Sequence, residues 1–423
     1  MAHQLWLLLY LACISHACAD VLTSPGISMP LGSQMHHADI GKRAHVLAGD
    51  VLDRAGTRTR MGKRAVLNRG VAMTNYFDVQ YYATVYVGNP PQPFRVVVDT
   101  GSADLWIPSA RCTDAQCGSH ARFNESQSKS AIRRGRKFTI QYALGSAAGD
   151  LYMDRVLLNV STGATTSVVL QVVNQTFGSV TSETYWKQYV PDGVIGFAFS
   201  NLAQSLSRTP LENLYLQKQI GWPAFGVWLQ YTRTDNGTSS QGGRLTLGGI
   251  DPALYRGRMA FVPVVNPAYW SIVLDAVLWG NQSIALGDIN MAVLDTGSTL
   301  IGMDPASAAT LNNAIGSAAA PGNPYLYLLP CAALANMTTP FSLVFGGVTF
   351  NLAGSELAVG IDTTGKTCYS PFQSVPVPGL PSNQRLWILG AIFLRKWYTV
   401  YDYNPSYDGS AITPRVGIAL AVH

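Results

Sequence analysis

Two copies of one four-residue motif contain the residues with the clearest chemical potential. Asp-Thr-Gly-Ser occurs at residues 99–102 and again at residues 295–298, each time directly after an apolar run. Such a run is typical of a buried strand, so Asp99 and Asp295 are expected at the ends of strands. Because glycine permits a tight turn and a close backbone approach, two such turns can meet face to face.

Turns that meet in this way place two carboxyl groups side by side. Two such close like charges do not both ionise readily, so the pair shares one proton and offers one acid and one base. A water molecule between them can then be deprotonated while a substrate carbonyl is protonated. This chemistry hydrolyses an amide without a metal or a covalent intermediate. The alternative, in which each aspartate only caps a turn, leaves the duplication unexplained.

The neighbours of the two aspartates are predicted to support them. The threonines are expected to bond to the partner turn, while the serine hydroxyls and glycine N–H groups orient the carboxylates. These supporting residues are Thr100, Gly101, Ser102, Thr296, Gly297 and Ser298.

A second repeated element predicts a duplicated lobe. Gly-Val-Ile-Gly at residues 193–196 follows the first motif, and Trp-Ile-Leu-Gly at residues 387–390 follows the second. From residue 76 onward, short alternating runs rich in β-branched and aromatic residues predict a mostly β protein. The best helical patterns cover residues 211–219 and 304–315, the second with Asp304 as its N-cap.

The composition excludes several classes of protein. The chain has 423 residues, of which 48% are hydrophobic and 13% charged, whereas a disordered chain is charge-rich and poor in aromatic residues. The glycines follow no collagen-like period. A net charge of +5 is weak, and we interpret it as scattered, so no nucleic-acid partner is expected.

The N-terminus predicts entry into the secretory pathway. Residues 5–14 are almost entirely apolar, and the Ala-Cys-Ala sequence at residues 17–19 fits a cleavage site, so residues 1–19 are predicted to be a signal peptide. The alternative, a membrane anchor, needs about 20 apolar residues. Secretion to the extracellular space is therefore predicted, with an acidic vacuole as the alternative and no membrane association.

Residues 20–64 are predicted to form a removable pro-segment, whose end lies between residue 64 and about residue 74. This stretch lacks Trp, Tyr and Phe and ends at Lys63-Arg64, a dibasic site for which a processing protease is the candidate partner. The alternative is a solvated basic tail. Removing residues 1–64 leaves 22 basic and 20 acidic residues, a net charge near +2.

Four cysteines remain after the signal peptide. An even number in an oxidising compartment suggests two disulfides. Cys112 and Cys117 are close enough in sequence to form a small loop, which leaves Cys331 to pair with Cys368. A metal site is disfavoured because the spacing lacks Cys-x-x-Cys pairs, and no metal or organic cofactor is expected. Six glycosylation sequons agree with secretion: Asn124, Asn159, Asn174, Asn236, Asn281 and Asn336.

The motifs together resemble those of the pepsin-like aspartic proteases, family A1. Residues 99–108 and 295–299 resemble the family's two active-site segments. Residues 192–196 resemble the stretch that follows the first active-site segment, and residues 388–402 resemble the C-terminal signature. The resemblance covers residues 75–422. It implies a mostly β, bilobal fold with two β-rich lobes related by a pseudo-two-fold axis and a cleft between them. The lobes are expected at residues 75–245 and 246–423.

The resemblance also implies the activity. A monomeric aspartic endopeptidase, made as a zymogen, would use Asp99 and Asp295 to cut polypeptide substrates at acid pH and would bind pepstatin-type inhibitors. Two alternatives belong to other classes. A pepsin-fold binding protein without catalysis is disfavoured because both motifs are intact. A structural wall or surface glycoprotein is disfavoured because no Ser/Thr-rich stalk is present.

A flap over the cleft is implied for residues 138–146. Tyr142 matches the family's flap tyrosine and is expected to bond to Trp106 and close over the substrate. Gly145 and Ser146 match positions that contact the substrate backbone.

Specificity and subtype rest on departures from the family pattern. Relatives that accept lysine before the scissile bond carry an acid at the position of Leu144. This leucine, together with Val97 and Val194 as expected pocket walls, therefore implies that the substrate has apolar or aromatic residues around the scissile bond. Asp104 replaces the usual Asn or small polar residue and is expected either to shift the titration of the aspartates or to face solvent. A missing second-lobe disulfide suggests a microbial or fungal member.

Overall fold

The computed structural model describes residues 70–423 apart from residues 143–144, 162–166, 185, 188, 232–236, 361–365, 378–379, 382 and 406–410. The predicted signal peptide and pro-segment therefore lie outside the described residues. The same applies to Lys63-Arg64, to Leu144 and to the sequon at Asn236.

The described chain is mostly β, as predicted. The strands are β1 (Gly70–Tyr76), β2 (Gln80–Val87), β3 (Gln92–Asp99), β4 (Leu105–Pro108), β5 (Ile132–Gln141), β6 (Ser146–Ser161), β7 (Ser167–Glu183), β8 (Gly193–Gly196), β9 (Ala224–Leu229), β10 (Thr238–Leu247), β11 (Tyr255–Asn266), β12 (Ser271–Val273), β13 (Ala276–Trp279), β14 (Gln282–Ser283), β15 (Ile289–Leu294), β16 (Ile301–Met303), β17 (Ala318–Ala320), β18 (Asn323–Pro330), β19 (Phe341–Phe345), β20 (Val348–Leu352), β21 (Val359–Gly360), β22 (Thr367–Tyr369), β23 (Phe372–Ser374), β24 (Gln384–Leu389), β25 (Trp397–Asp402) and β26 (Arg415–Ala421).

The helices are short: α1 (Pro210–Leu216), α2 (Pro305–Ala314), α3 (Cys331–Ala335) and α4 (Ala391–Lys396). The two predicted helices are α1 and α2. The carboxylate of Asp304 caps α2 by accepting the N–H groups of Ala306 and Ser307, both at 3.1 Å. Helix α1 ends before the predicted residue 219, and Lys218 beyond it has a φ of 58°, which no helix continues through.

Six antiparallel strands in the order β1–β10–β9–β25–β26–β11 join the two halves of the chain. This order is symmetric about the β9–β25 pair. Strands β10 and β1 follow outward from β9, and strands β26 and β11 follow outward from β25. The predicted lobe boundary at residues 245–246 falls inside β10. The sheet also begins earlier than the predicted residue 75, because Val71 and Met73 of β1 are buried in it.

The duplicated unit predicted from the sequence is present twice around this sheet. Strand β3, which ends at Asp99, pairs in parallel with β8, and β15, which ends just before Asp295, pairs in parallel with β24. A third strand completes each unit, since β4 is antiparallel to β8 and β16 is antiparallel to β24. The two repeated apolar-Gly segments are therefore the strands that support the two aspartate turns.

A glycine ends each supporting strand because the aspartate turn leaves no space for a side chain. A Cβ on Gly196 would lie 2.6 Å from the backbone nitrogen of Asp104. A Cβ on Gly390 would lie 2.5 Å from the carbonyl oxygen of Leu300. Such distances are far below van der Waals contact, so these strands reach the turns only with glycine at these positions.

Candidate active site

Both aspartates of the motif are buried, and each is held by its own turn. The Asp99 carboxylate accepts the backbone N–H of Gly101 at 2.8 Å and the hydroxyl of Ser102 at 2.5 Å. The Asp295 carboxylate accepts the N–H of Gly297 at 2.9 Å and the hydroxyl of Ser298 at 2.7 Å. The two turns therefore orient their carboxylates in the same way.

The two threonines lock the turns together across the lobes. Each hydroxyl accepts the backbone N–H of the other threonine, at 3.0 Å in both directions. Thr100 donates its own hydroxyl to the carbonyl of Leu294 at 2.8 Å, and Thr296 donates to the carbonyl of Val98 at 2.6 Å. Four hydrogen bonds between residues nearly 200 positions apart thus connect the strands that precede the aspartates.

We expect Thr296→Val to lower the free energy of unfolding by about 2–4 kcal/mol, because it leaves the N–H of Thr100 and the carbonyl of Val98 buried without this partner. Urea denaturation at acid pH measures the loss. Thr310→Val is the control, since that hydroxyl bonds to Ala306 on an exposed helix face. Equal losses in the two variants would contradict the interlocking role.

The motif glycines bring the two carboxyl groups together. A Cβ on Gly101 would lie 2.7 Å from the carboxyl carbon of Asp295, and a Cβ on Gly297 would overlap the carboxylate of Asp99. Each aspartate therefore lies against the backbone of the other turn. Any side chain at either glycine would separate the pair.

This environment raises the pKa of both aspartates. Burial raises the pKa of Asp99 well above its ordinary value, and the neighbouring charge of Asp295 raises it further. Burial also raises the pKa of Asp295, although hydrogen bonds from Ser298 and Asp99 lower it in part. The pair therefore retains a proton at a pH where an isolated aspartate would have lost it.

An aromatic cluster supports the site from the C-terminal side. Trp270 is fully buried and donates its indole N–H to the carbonyl of Phe197 at 2.8 Å. Tyr401 stacks on Phe225 with a centroid distance of 4.6 Å and bonds to Thr100. The sequence analysis gave Tyr401 no role of its own. The only signal for it was its place in the segment that resembles the C-terminal signature.

Tyr142 and Trp106 are brought together, as the flap resemblance implied. The indole N–H of Trp106 donates to the Tyr142 hydroxyl at 2.7 Å, and both side chains are buried. Tyr142 follows β5, and its N–H bonds to the carbonyl of Gly145, which has a φ of 93°. Ser146 begins β6 and donates its N–H to the hydroxyl of Thr184 at 2.8 Å. Strands β5 and β6 thus form the predicted hairpin.

We expect Tyr142→Phe to lower kcat/KM about tenfold, because the loss of one hydrogen bond leaves the buried Trp106 N–H unpaired and loosens the flap. Steady-state kinetics on a peptide substrate measures the effect. Tyr86→Phe serves as the matched control, because Tyr86 is a half-buried tyrosine on β2. A Tyr142→Phe enzyme with unchanged kcat/KM would contradict a role for this hydrogen bond.

The predicted pocket valines are neighbours, whereas both expectations for Asp104 are wrong. Val97 and Val194 lie side by side in the β3–β8 register, and both are buried. Asp104 is also buried, and it accepts the backbone N–H groups of Gln204 at 2.7 Å and Ser205 at 3.0 Å. It therefore faces neither solvent nor the aspartate pair and instead holds a loop. A partner about 100 residues away is not visible in the local sequence.

Both predicted disulfides are present. Cys112 bonds to Cys117 and Cys331 bonds to Cys368, with S–S distances of 2.03 and 2.09 Å. Four of the described sequon asparagines are exposed, and the fifth, Asn124, is half-buried and accepts the N–H of Ser126. The exposed four are Asn159, Asn174, Asn281 and Asn336. No helix within the described ranges is both long and apolar enough to cross a membrane.

Comparison with known proteins agrees with this geometry. The model of the eukaryotic aspartyl protease family matches residues 80–412, which include both Asp-Thr-Gly turns and the flap. The chain belongs to this family. It is accordingly an aspartic-type endopeptidase that acts on polypeptides.

Animal proteases are among its relatives. Napsin-A of Mus musculus is 35% identical over 363 residues, 83% of this chain and 80% of the relative. Cathepsin E of Rattus norvegicus is 32% identical over 343 residues, 80% of this chain and 81% of the relative. Cathepsin D of Mus musculus is 32% identical over 355 residues, 83% of this chain and 82% of the relative. The predicted microbial or fungal subtype is therefore not supported, because one missing disulfide is too slight a character to assign it.

Proposed function

We propose that this endopeptidase hydrolyses peptide bonds in proteins at acid pH by activating a water molecule between Asp99 and Asp295. The observation that supports this most is the mirrored arrangement of two buried carboxylates, each oriented by its own glycine N–H and serine hydroxyl. With raised pKa values, the pair holds one proton in the acid range.

The reaction follows from one shared proton. One carboxylate accepts a proton from the water as the water oxygen attacks the peptide carbonyl carbon. The other carboxyl donates its proton to the carbonyl oxygen, which gives a tetrahedral diol. The carboxyl that took the proton from water then gives it to the nitrogen as the C–N bond breaks, and a diol hydroxyl passes its proton to the other carboxylate, so the acid and amine products leave and the pair is again singly protonated.

The remaining site residues orient the reactants. Thr100 and Thr296 hold the turns rigid, so the distance between the carboxyl groups is set before the substrate binds. Tyr142 closes over the substrate and excludes water, and Gly145 and Ser146 bond to its backbone. The buried Val97 and Val194 give the adjacent pocket an apolar wall, which favours apolar or aromatic residues at the scissile bond.

The chain is synthesised as a zymogen and secreted. Its signal peptide, residues 1–19, directs it into an oxidising compartment, where the two disulfides form. The basic pro-segment, residues 20–64, pairs with carboxylates of the cleft until acid weakens those pairs or a processing protease cuts after Lys63-Arg64. Cutting there leaves β1, which begins at Gly70, intact in the sheet of a monomeric enzyme.

A peptide-cleavage assay on the processed chain, residues 65–423, tests this function. The expected result is cleavage at acid pH beside apolar residues, with complete inhibition by pepstatin. A folded protein that binds pepstatin but cleaves no peptide would overturn the proposal in favour of a binding protein.

A further inference from the structure

A bulge on the flap hairpin displays an unusual group of cations. Arg133 pairs with Tyr152, and Lys137 pairs with Asp150, so three residues of β5, at positions 134–136, face a single residue of β6. Gly135 at the centre has a φ of 69° and no atom within 4 Å of where its Cβ would be. The bulge therefore projects Arg134 and Arg136 away from the sheet.

Too little negative charge lies beside these cations to neutralise them. Asp150 alone serves three of them, with nitrogen–oxygen distances of 3.2 Å to Arg111, 3.2 Å to Arg133 and 3.0 Å to Lys137. Glu125 pairs only with Arg111, at 3.4 Å. Within the described ranges, two carboxylates thus form the ion pairs of this group of cations, and Arg134 and Arg136 take part in none of these pairs. The group has five cations: Arg111, Arg133, Arg134, Arg136 and Lys137.

These five cations are about a quarter of the 22 basic residues in residues 65–423. The basic residues are therefore not scattered, contrary to the sequence-based expectation. The cations also stay accessible, since the side chains of Lys137 and Arg133 are 82% and 58% exposed. Arg136 reaches the carbonyl of Ser205, at 3.4 Å, on the loop that Asp104 holds.

The bulge lies within reach of a substrate in the cleft. Tyr142 is six residues beyond Arg136 along the same strand, about 20 Å at the usual rise per residue. Among the described strands, β5 pairs only with β6, so its outer edge is open. An extended peptide of six residues covers the same roughly 20 Å, so a substrate flank that runs from the flap along β5 would reach the cations.

We propose that this basic bulge is an exosite for acidic polypeptide substrates, which binds an Asp- or Glu-rich segment about six residues from the scissile bond. The proposal rests on the proposed function, because it assigns a substrate class to the same cleft. An acidic flank supplies the carboxylates that the five cations lack. Because the acidic flank and the segment in the cleft belong to one chain, a polypeptide is favoured over a free sulfated glycan.

The exosite has a pH signature of its own. Arginine stays charged at every pH at which the enzyme acts, and Asp150 stays ionised too: although burial opposes it, Lys137, Arg133 and Arg111 lower its pKa to about 2. The substrate carboxyls, in contrast, lose their charge below about pH 4. The preference for an acidic flank should therefore be present at pH 5 and absent at pH 3.

The test compares three peptides that share one apolar cleavage site: one with four Glu on the N-terminal side, one with four Glu on the C-terminal side, and one with Gln in both places. At pH 5 and low salt, one acidic peptide should show a KM about three- to tenfold below that of the Gln peptide, with similar kcat. The advantage should disappear in 0.5 M salt and in the Arg134→Ser/Arg136→Ser variant.

The chain contains a matched control for this variant. Residues 257–259 form a second bulge, on β11, next to the paired Arg256, and Gly257 in it has a φ of 78° and open space around its Cβ position. Arg256→Ser/Arg258→Ser removes the same charge and should keep the full preference. Equal KM values for all three wild-type reactions, or a preference that survives Arg134→Ser/Arg136→Ser, would overturn the exosite. So would binding of heparin fragments at the bulge without any flank effect. Failure to cleave even the Gln peptide would instead overturn the proposed function.

Discussion

Replacing Asp99 with Asn should lower kcat about a thousandfold or more at acid pH while the protein stays folded. The amide keeps the shape of the carboxyl group, and its one oxygen still accepts the N–H of Gly101, while its NH2 group replaces the oxygen that accepted the hydroxyl of Ser102 and can donate to that hydroxyl instead. It neither takes a proton from water nor gives one to the peptide carbonyl. The same loss is expected for Asp295→Asn, because both members of the pair take part in each proton transfer.

Kinetics with a peptide substrate measures this effect, with pepstatin titration to count folded sites. Asp104→Asn is the matched control, since it changes a buried carboxyl five residues away that bonds to the loop at Gln204 and Ser205. That variant should be less stable but should keep the kcat of its folded fraction. An Asp99→Asn enzyme that retained about a tenth of the wild-type kcat would rule out the two-carboxylate mechanism.

Replacing Glu183 with Gln should remove most of the pH dependence of stability. The wild-type protein should lose free energy of unfolding between acid and mildly alkaline pH, and the variant should lose much less. Glu183 ends β7 beside the flap, opposite Ala147, and is 2% exposed. Neither carboxylate oxygen has a hydrogen-bond partner among the described residues. Burial, with smaller contributions from Asp114 and Asp192, raises the pKa of this group from 4.5 to about 8.

The sign of the effect follows from proton linkage. Between pH 4.5 and pH 8 the folded protein keeps the proton on Glu183, whereas the unfolded chain has lost it. Unfolding therefore releases a proton, and the free energy of unfolding falls as the pH rises. At about 1.4 kcal/mol per pH unit, this one group accounts for a loss of up to about 5 kcal/mol across that window. Below pH 4.5 the folded and the unfolded chain both carry this proton, so the pH-dependent loss is absent.

Urea denaturation at pH 4.5, 6 and 7.5 measures the slope for each variant. Glu183→Gln should flatten it, although the buried amide lowers the stability at pH 4.5 itself. Asp288→Asn, at an exposed carboxyl, should keep the wild-type slope. Asp114→Asn should flatten it in part, since it removes one of the charges that act on Glu183. Parallel curves for wild type and Glu183→Gln would refute the assignment.

The location of Glu183 connects this stability to function. The residue after it, Thr184, donates its backbone N–H to the carbonyl of Ser146 at 2.9 Å, at the base of the flap. Ionisation of Glu183 therefore weakens the part of the structure that holds Tyr142 over the cleft. Together with the shared proton of the aspartate pair, it is expected to confine a stable, active enzyme to the acid side of neutrality.

The sequence by itself determined the paired aspartate turns, the duplicated unit and the two helices. Each of these is encoded locally: an apolar strand, a tight glycine turn, and a carboxylate that bonds to N–H groups two or three residues ahead of it. The duplication supplied the long-range step, because two identical turns behind similar strands require similar surroundings. The interlocked threonines follow from the same symmetry.

Only the tertiary structure decided the surroundings of the single-copy charges. Asp104 holds a loop about 100 residues away, Glu183 is buried without a hydrogen-bond partner among the described residues, and Asp150 of β6 joins Arg111 to the cations of β5. The run of cations at residues 133–137 is visible in the sequence, but the partners and the burial of these charges depend on which distant strands lie alongside, and no local pattern or repeat specifies that. Sequence therefore predicted the pair of aspartates that we propose to cut a peptide bond, whereas the packing of distant strands decided which charged side chains are buried, paired or exposed around it.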